Sequence, residues 1–465
     1  MLFSPNMMKG LTVAFYASLY GIGWLSAQNA SGGLPLRFLG TFEGSVLVYP
    51  GSKTEGNRYT RQISIYPTTK GFSGASKKAY SMTFISTSGY EKHYDTLTLT
   101  VDDSAAGMAT IAGYDSLKLP ARFAINYLSF SKGGPGSQFN YSLAFEDSAV
   151  LFTMMPNTFW SPALTWEAIQ TGTLRRQKDP EVSAGKLIQL GYFPSKYTSP
   201  HRVAVWLPDG YTPGASTPVI YMHDGQMLFD GHVTWNKQEW GVDEILTART
   251  QKAVVVGIWN DGKNRSGDYF PQKVWDNYIS AADKDSIISK IGGGVPLFGS
   301  EGTSNADAYL KFLVKELKPY IDKRFVPATN PENTIIAGAS MGGLISWYAL
   351  CEYPDVFGKA ICLSTHWPGT SHLRYPAAPA AFQRYLNQKL PTTGQHRIFF
   401  AHGTGYLDSL YGPHQKKVDA IMKKRSYVLG KNWKTVVYQG ADHNETEWRS
   451  QMKDALEFIM PEKRL

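Results

Sequence analysis

The clearest structural signal in this chain is Thr334-Ile335-Ile336-Ala337-Gly338-Ala339-Ser340-Met341-Gly342-Gly343. An apolar strand leads into Gly-Ala-Ser-Met-Gly, which fits the pattern GxSxG, and a helical stretch follows. Small residues on both sides of the serine permit a strained turn between strand and helix, and this turn exposes the serine hydroxyl. A glycine-rich turn with an incidental serine is the alternative. The strand before the motif and the helix after it favour a nucleophile at Ser340.

Short apolar strands alternate with helical stretches on both sides of this turn. The alternation is typical of a mostly parallel sheet that is covered by helices on both faces. We expect strands at residues 202–207, 218–222, 253–258, 334–338, 359–363, 397–401 and 435–439, and helices at 306–325, 344–351, 415–424 and 446–459. Residues 187–465 are therefore predicted to form an α/β catalytic domain.

The region before this domain has a different period. Residues 34–173 alternate apolar and polar side chains between turn residues, as Thr96-Leu97-Thr98-Leu99-Thr100-Val101 shows. We expect strands at 42–49, 62–66, 81–85, 141–145 and 164–172 in an all-β module. An eight-stranded lipocalin-like barrel is slightly favoured over a sandwich. The charged residues 174–186, which include a proline and a glycine, are predicted to form a linker.

The amino terminus has the pattern of a targeting segment. Lys9 precedes an apolar run at residues 11–25, and Ser26 and Ala27 follow it. This pattern predicts a signal peptide at residues 1–27 and export to a periplasm or the medium. The run is short and interrupted for a spanning helix, and no later stretch is suited to one, so we expect no stable membrane insertion.

Composition narrows the class of protein. Among 465 residues, 47 Lys and Arg face 38 Asp and Glu, which gives a net charge of +9. The basic residues are scattered, so nucleic-acid binding is not expected, and the mild excess suits anionic substrates or surfaces. Cys351 and Cys362 are too few for a disulfide framework or a zinc site; they either pair or remain reduced.

A serine hydroxyl needs a base that removes its proton, and His443 is placed to be that base. It follows the strand expected at 435–439 and precedes the last helix. The other histidines fit less well: His402 ends a strand, His414 begins a helix, and His366 is better placed to line the pocket. Order and position therefore favour His443.

The base needs a carboxylate that fixes its tautomer, and Asp408 is the candidate. It lies after the strand that ends at Ala401, between Ser340 and His443 in the chain. Asp442 is a rival, but a neighbour in sequence points its side chain away from the ring. Capping of the following helix is the other interpretation of Asp408.

An ester reaction also builds negative charge on the carbonyl oxygen, which two backbone N–H groups stabilise. Met341 is expected to supply one of them. The second is expected from the loop after an early strand, at Gly225 or, failing that, Gln226. A plain Asp-Gly turn is the alternative for this loop.

Several of these segments resemble the esterase D and enterochelin esterase group: His223-Asp224-Gly225-Gln226, Asn264-Arg265, Gly338 to Gly343 and His443 to Trp448. The resemblance covers roughly residues 191–461. It implies an α/β-hydrolase fold with a Ser-His-Asp triad, and the group includes siderophore, feruloyl and acetyl-xylan esterases, S-formylglutathione hydrolases and mycolyltransferases. Residues 34–173 carry no motif that we can match to that group.

The connection at residues 261–303 is long and is expected to cover the site. Arg265 and Tyr269 are candidates to hold an acidic or phenolic substrate, and His366, Trp367 and Trp448 are further candidates for substrate contact. Packing alone is the alternative for each of these residues.

These residues predict a secreted serine carboxylic-ester hydrolase that works through an acyl-enzyme and needs no metal or organic cofactor. The expected partner is a small-molecule or glycan ester. A carbohydrate-linked feruloyl or acetyl ester is slightly favoured over a siderophore ester. The alternative is a non-catalytic binding protein on a hydrolase scaffold, in which the β module captures a glycan or a chelate.

Overall fold

The chain divides into two units, which meet in sequence at Asp179 and Pro180. The computed structural model describes residues 40–49, 58–67, 77–88, 91–102, 108–112, 118–124, 127–132, 139–145, 149–156, 169–214, 217–289, 298, 303–325, 327–371, 373–392 and 396–462. The predicted signal peptide lies outside these residues.

The first unit is a closed antiparallel barrel. Its described strands are β1 (Gly40–Tyr49), β2 (Arg58–Pro67), β3 (Lys77–Ser88), β4 (Glu91–Asp102), β5 (Met108–Ala112), β6 (Lys118–Ala124), β7 (Tyr127–Lys132), β8 (Phe139–Phe145), β9 (Ala149–Pro156) and β10 (Ile169–Gln177). Each strand pairs with the next one in sequence. Strand β10 also pairs with β1, with Thr41 opposite Gln177, and this pairing closes the ring.

The barrel core follows from the alternation in the sequence. In β4, Leu97, Leu99 and Val101 are buried, whereas Thr98 between them is exposed. Equivalent positions on the other strands supply Phe42, Ile63, Met82, Phe84, Leu143 and Phe152. Period two places every second side chain on one face of a strand, so this set meets inside the ring.

Two expectations about this unit need correction. The ring contains ten described strands rather than eight, and its closure favours a barrel over a sandwich. The lipocalin-like assignment stays a prediction.

The expected linker is too long at both ends, because residues 174–177 pair within β10 and Lys186 begins the next sheet. Residues 164–168 of the last expected strand lie outside the described residues.

The second unit is built on one sheet, and its described strands are β11 (Lys186–Phe193), β12 (His201–Leu207), β13 (Val219–His223), β14 (Val254–Ile258), β15 (Thr334–Ala339), β16 (Lys359–Leu363), β17 (Arg397–Gly403) and β18 (Trp433–Tyr438). Their order is β11-β12-β14-β13-β15-β16-β17-β18. Strand β12 is antiparallel to both neighbours, and the pairs from β14 to β18 are parallel. This is an α/β-hydrolase sheet, as predicted.

Helices cover both faces of this sheet. They are α1 (Val242–Thr247), α2 (Arg265–Tyr269), α3 (Gln272–Tyr278), α4 (Ala281–Ser289), α5 (Ala306–Phe312), α6 (Lys318–Phe325), α7 (Met341–Glu352), α8 (Ala377–Lys389), α9 (Gly412–Lys424) and α10 (Glu445–Ile459). A π-helical turn, Leu313–Leu317, joins α5 to α6. Across the described ranges, no helix is long and apolar enough to cross a membrane.

The two faces of the sheet have separate cores. Val219 and Tyr221 in β13 face the larger core, with side chains of α5 and α7, whereas Ile220 and Met222 face the smaller core, with side chains of α1 and α10. All positions of β13, β14 and β15 are buried, which explains their almost continuous apolar sequence.

Cys351 and Cys362 are both buried as free thiols in the larger core. Burial raises the pKa of each thiol above its ordinary value. Of the two alternatives that the sequence leaves open, the structure therefore has the reduced pair.

Candidate active site

The turn between β15 and α7 holds Ser340 in a strained backbone conformation, with φ 58° and ψ −121°. Small neighbours make this turn possible, because a Cβ on Gly338 would lie 2.6 Å from the carbonyl oxygen of Gly342. The Ser340 N–H donates to the carbonyl oxygen of Leu363 at 2.9 Å. The strained turn is thereby anchored to the end of β16, with its serine partly exposed.

The expected contact between His443 and Asp408 is present. Nδ1 of His443 lies 2.6 Å from Oδ1 of Asp408. A carboxylate only accepts hydrogen bonds, so the ring proton lies on Nδ1 and Nε2 keeps its lone pair. Such a ring is prepared to accept a proton at Nε2.

Asp408 is fully buried, and each of its carboxylate oxygens is hydrogen-bonded. Oδ2 accepts from the Ser364 hydroxyl at 2.6 Å and from the Gly403 N–H at 2.7 Å. Burial raises the pKa of Asp408, but the bonds from His443, Ser364 and Gly403 outweigh it and hold that pKa below its ordinary value. The carboxylate is therefore ionised at neutral pH.

The carboxylate of the rival residue, Asp442, bonds to the backbone of His443 and not to its imidazole. Its Oδ1 accepts a hydrogen bond from the backbone N–H of His443 at 2.7 Å. That bond shapes the turn before α10 and leaves the ring to Asp408. The geometry favours Asp408 as the partner of the base.

Two aromatic rings hold the imidazole of His443 from its sides. Trp448 meets it edge-on at 5.0 Å and Tyr411 at 5.7 Å between ring centroids. Trp448 Nε1 also donates to the Ser364 hydroxyl at 3.0 Å. Trp448 is buried behind the His443–Asp408 pair, and this position indicates support of the imidazole rather than the predicted substrate contact.

His366 connects the Ser340 turn to this aromatic support. Its backbone N–H donates to the Ser340 carbonyl oxygen at 3.1 Å, and its Nδ1 lies 2.8 Å from the Tyr411 hydroxyl. Burial, reinforced by the nearby His443, lowers the pKa of His366 to about 4. A neutral ring accepts from Tyr411 at Nδ1 and faces the Thr370 carbonyl with Nε2–H at 3.3 Å. The side chain remains partly exposed, as a residue lining the site would be.

The predicted N–H donors lie at the starts of two helical turns. Met341 is the first residue of α7, and Gly225 and Gln226 begin the 3₁₀ turn Gly225–Met227 after β13. The first N–H groups of a helical turn have no acceptor within that turn. A Cβ on Gly225 would lie 2.5 Å from the Trp259 ring and 2.8 Å from the Gly257 backbone, so the position requires glycine.

Arg265 makes a two-pronged ion pair that the sequence did not reveal. Its Nε and Nη2 each donate to Asp224 at 2.7 Å, one to each carboxylate oxygen. Asn260 Nδ2 also donates to Asp224 at 2.7 Å. Much of the guanidinium predicted to hold a substrate is therefore already engaged inside the protein.

Asp224, Asn260 and Ser364 are site residues that the sequence did not predict, since none lies in a pattern that indicates its partner.

The geometry can be compared with known proteins. Residues 195–459, more than half of the chain, match the sequence model of the Esterase family, described as "Putative esterase". The chain belongs to the Esterase family. It is therefore an esterase.

The esterase is similar to several individual proteins. It is 25% identical to Bacillus subtilis (strain 168) YbbA over 270 residues, which are 56% of this chain and 92% of YbbA. A stretch of 61 residues, 13% of this chain, is 39% identical to 8% of the endo-1,4-beta-xylanase/feruloyl esterase of Xylanibacter ruminicola.

Two solved structures are also similar to this esterase. The Bacillus cereus BES protein has 18% identity and a TM-score of 0.44, covering 61% of this chain and 98% of its own. The Shigella flexneri enterobactin esterase FES has 13% identity and a TM-score of 0.41, covering 90% and 96%.

Two predicted substrate contacts of the esterase are corrected by burial. Tyr269 is 0% exposed and Trp367 is 1% exposed, so neither side chain is accessible to a substrate. The Tyr269 hydroxyl accepts from the Asp224 N–H, and Trp367 Nε1 donates to Gln415. Both are core residues, because the end of an aromatic side chain found a polar partner inside the protein.

The described part of the long connection at 261–303 is mainly helical. Its described part folds into α2, α3 and α4, and residues 290–297 and 299–302 lie outside the description. Phe270, which follows α2, packs against Trp275 of α3 and Phe382 of α8. This part of the connection belongs to the larger core.

Unlike Tyr269 and Trp367, two other aromatic residues, Trp235 and Tyr406, are exposed. Trp235 is 82% exposed and Tyr406 is 87% exposed. The residue after Trp235, Asn236, donates to Glu445 at 2.6 Å, two positions beyond His443. Tyr406 precedes Asp408 by two positions. Its backbone is strained, with φ 33°, and its ring is exposed. Trp235 is therefore one residue from Asn236, which bonds to the start of α10, and Tyr406 begins the 3₁₀ turn Tyr406–Leu410, which contains Asp408.

Proposed function

We propose that this esterase is an exported serine carboxylic-ester hydrolase that works through an acyl-enzyme. The observation that carries the proposal is the 2.6 Å bond from His443 Nδ1 to buried Asp408, at the same sheet edge as the strained Ser340 turn. This bond leaves Nε2 as the proton acceptor. The three side chains follow β15, β17 and β18, whose carboxyl ends lie at one edge because these strands run parallel.

The reaction proceeds in two halves. Ser340 Oγ attacks the ester carbonyl carbon while His443 Nε2 takes its proton, and the resulting oxyanion is held by N–H groups of Met341 and of Gly225 or Gln226. Collapse of this intermediate breaks the bond to the alcohol, which leaves with the proton from His443. Water then attacks the acyl-enzyme with the same base, and the acid is released.

The acid that supports the base is Asp408. Its hydrogen bond fixes the His443 tautomer, and its negative charge stabilises the imidazolium that forms during each half reaction. Full burial keeps water from competing for that bond, and the Ser364 and Gly403 donors keep the carboxyl ionised.

Ser340→Ala tests the chemistry directly. The mature protein is expected to hydrolyse p-nitrophenyl acetate, and the variant is expected to lose about 10⁶-fold in kcat while retaining its melting temperature. Circular dichroism melting of both proteins provides the folding control. Undiminished hydrolysis by a clean preparation of the variant would show that Ser340 is not the nucleophile.

For the substrate, we propose a carbohydrate-linked feruloyl or acetyl ester ahead of a siderophore ester. The exposed rings of Trp235 and Tyr406 support this choice, because the C–H faces of sugar rings and the planar rings of phenolic acids stack on aromatic side chains. The name of the Xylanibacter ruminicola relative also includes feruloyl esterase. The net positive charge is the feature that suits an anionic siderophore.

A substrate panel tests this choice. Feruloylated and acetylated glycans and a tricatecholate lactone are to be compared by kcat/KM, with Trp235→Ala and Tyr406→Ala as variants. We expect the glycan esters to be preferred, and the two variants to raise KM for them while hydrolysis of p-nitrophenyl acetate stays unchanged. A preference for the lactone, or variants that leave KM for every substrate unchanged, would reject this assignment.

We propose that the barrel contributes substrate recognition rather than chemistry, because Ser340, Asp408 and His443 all follow it in the chain. A truncated protein has to begin near Pro180, since Ser183 bonds Asp243 at 2.8 Å. We expect it to keep its rate on p-nitrophenyl acetate and to lose kcat/KM on large glycan esters. Equal losses on both substrates by a well-folded truncated protein would reject the recognition role.

Export rests on the sequence of residues 1–27. We propose cleavage after Ala27, so that the mature protein begins at Gln28. Amino-terminal sequencing of the protein from the periplasm or medium checks this. Recovery of the protein in the cytoplasm with its first residues intact would reject export.

A further inference from the structure

The turn after β13 contains an ion pair that the proposed reaction does not use directly. We propose that Asp224 and Arg265 are positioning residues, which together fix the Gly225 peptide relative to Met341 so that their N–H groups converge on the oxyanion. This inference rests on the proposed function.

Every polar group of Asp224 is hydrogen-bonded. Its N–H donates to the Tyr269 hydroxyl at 3.3 Å, and its carbonyl oxygen accepts from the Met227 N–H at 2.9 Å. Its two carboxylate oxygens accept from Arg265, and Oδ1 also accepts from Asn260, all at 2.7 Å. Bonds on both sides of the residue fix the peptide that joins Asp224 to Gly225.

The backbone conformation of Asp224 shows why such bonds are needed. Its φ of 58° and ψ of 45° lie in the left-handed region, which is unfavourable for a residue with a side chain. This conformation directs the chain into the tight 3₁₀ turn at Gly225, where Trp259 and Gly257 leave no room for a Cβ. Without the ion pair, the turn is expected to relax toward an ordinary backbone conformation.

The same ion pair lies against the nucleophile turn. A Cβ on Gly342, the residue after Met341, would be 3.4 Å from Oδ2 of Asp224 and 3.4 Å from Cβ of His223. The Asp224 carboxylate therefore lies close to the start of α7, where Met341 carries the other donor, and would touch a side chain at position 342. The Asp224 carboxylate thus lies between the turn that carries Gly225 and the turn that carries Met341, whose N–H groups must point at the same oxyanion.

Charge makes Arg265 necessary at this place. A buried carboxylate beside a developing oxyanion repels it, and the guanidinium cancels that repulsion. The Asp224 side chain is 11% exposed and that of Arg265 is 27% exposed, so solvent screens the pair only weakly. Burial raises the pKa of Asp224, but the charge and hydrogen bonds of Arg265 outweigh this and keep the carboxyl ionised.

A buried aromatic layer supports the pair from below. Tyr269 is in ring contact with His223 and Tyr309, and His223 Nδ1 lies 2.8 Å from the Tyr309 hydroxyl. Arg265 also stacks over Tyr269, with 5.1 Å from Cζ to the ring centroid. The guanidinium is thus held by its edge and by its face, which is the geometry of a fixed structural charge.

The kinetic test uses p-nitrophenyl acetate, a neutral substrate whose acyl group offers no acid or phenol for Arg265 to bind. We expect Arg265→Gln to lower kcat by about 10²–10³-fold, as loss of one oxyanion donor does, with KM changed by less than about threefold. Arg265→Lys keeps the charge without the fork and is expected to lose about tenfold. Arg449→Gln removes ion pairs with Glu239 and Glu244 in the same unit and serves as the matched control, expected to keep full activity.

A double variant separates charge repulsion from simple loss of structure. Adding Asp224→Asn to Arg265→Gln removes the unpaired carboxylate, so the double variant is expected to recover at least about tenfold in kcat over Arg265→Gln. Asp224→Asn alone is expected to lose less than Arg265→Gln. Melting temperatures of all variants are measured alongside the rates, and the Lys variant keeps the test valid if the Gln variant fails to fold.

Several results would overturn the inference. They are a higher KM with unchanged kcat on the neutral ester, losses confined to acidic or phenolic esters, a double variant no better than Arg265→Gln, and losses that merely follow unfolding at the assay temperature. Ser340→Ala is run in parallel. If it stays active, the proposed function itself fails; if it is inactive while Arg265→Gln and Arg265→Lys are fully active, only this inference fails.

Discussion

Two turns at the same edge of the sheet use an aspartate in different ways. Asp408 follows β17 and Asp224 follows β13, and in each case both carboxylate oxygens accept hydrogen bonds. The partner differs, since Asp408 bonds to His443 and Asp224 to Arg265. An imidazole gains and loses a proton near neutral pH, whereas a guanidinium does not. In the proposed reaction, similar carboxylates therefore support a moving proton in one turn and a fixed backbone in the other.

The electrostatic balance of the two aspartates is the same in kind. Burial is the largest effect on each, and it raises the pKa, but hydrogen bonds and neighbouring charge bring both pKa values below the ordinary value. The two turns thus differ in their partners rather than in the state of their acids. Changing one partner at a time is the way to separate their contributions.

The largest effect is expected from His443, the partner of Asp408. His443→Ala removes the only group that carries the proton in the proposed reaction, so kcat is expected to fall about 10⁶-fold, as much as for Ser340→Ala. Steady-state hydrolysis of p-nitrophenyl acetate measures this. If the loss were smaller than that of Arg265→Gln, the turn after β13 would be the more important one and the comparison would be reversed.

A smaller loss is expected when the base stays but its acid is neutralised. Asp408→Asn is expected to lower kcat by about 10⁴-fold, because the amide stabilises the wrong tautomer and no longer balances the imidazolium. Asp442→Asn is the matched control and is expected to stay within about threefold, since the one described hydrogen bond of the Asp442 carboxylate comes from the His443 backbone N–H. A more damaging Asp442→Asn would identify the other carboxylate as the partner.

Removing one support of Asp408 is expected to cost less again. Ser364→Ala deletes the hydroxyl that donates to Asp408 and accepts from Trp448. A hydrogen bond to a charged group contributes about 1.5–3 kcal/mol, so a loss of about 10- to 100-fold in kcat is expected. A matching loss in melting temperature without any change in kcat would show that Ser364 stabilises the fold and not the acid.

The smallest effect concerns the stability of the fold and depends on His223, which packs against Tyr269 beneath the Asp224–Arg265 ion pair. Burial lowers the pKa of His223 to about 3, against about 6.5 in an unfolded chain. Between these values the unfolded state binds the extra proton. The free energy of unfolding is therefore not reduced by His223 above about pH 6.5, and it falls as the pH decreases toward 3.

We therefore expect the melting temperature to fall between about pH 7 and pH 4, and His223→Gln to reduce that fall by a few degrees. His232, which is exposed, supplies the control variant His232→Gln. Parallel pH curves for the His223→Gln variant and the unchanged protein would mean that another group causes the acid sensitivity.

The sequence predicts the pairing of His443 with Asp408 far better than the pairing of Arg265 with Asp224. Ser340, Asp408 and His443 each follow an apolar strand in a set chain order, so local patterns are enough to place them. Asp224 and Arg265 are 41 positions apart, and nothing local announces their contact. Motif residues can thus be read from order and spacing, whereas their supporting charges require the packed structure.

The remaining errors have physical causes as well. Tyr269 and Trp367 were candidates for substrate contact because an aromatic ring with a polar end suits both a pocket and a core, and burial decides between them only in three dimensions. In the barrel, alternation identifies strands such as β4 but does not report how many strands close the ring. That number depends on strand tilt and pairing, which no single strand specifies.

The pairing of β1 with β10 has a consequence for how the protein is made. Every other barrel pair joins neighbours in the chain, so these hairpins can form before the rest of the unit is available. The last pair joins Thr41 to Gln177, across almost the whole unit. Closing so long a loop is entropically costly, and we expect it to be the slow step of barrel folding. Until residue 177 is available, β1 has a free edge that is open to pairing with other chains.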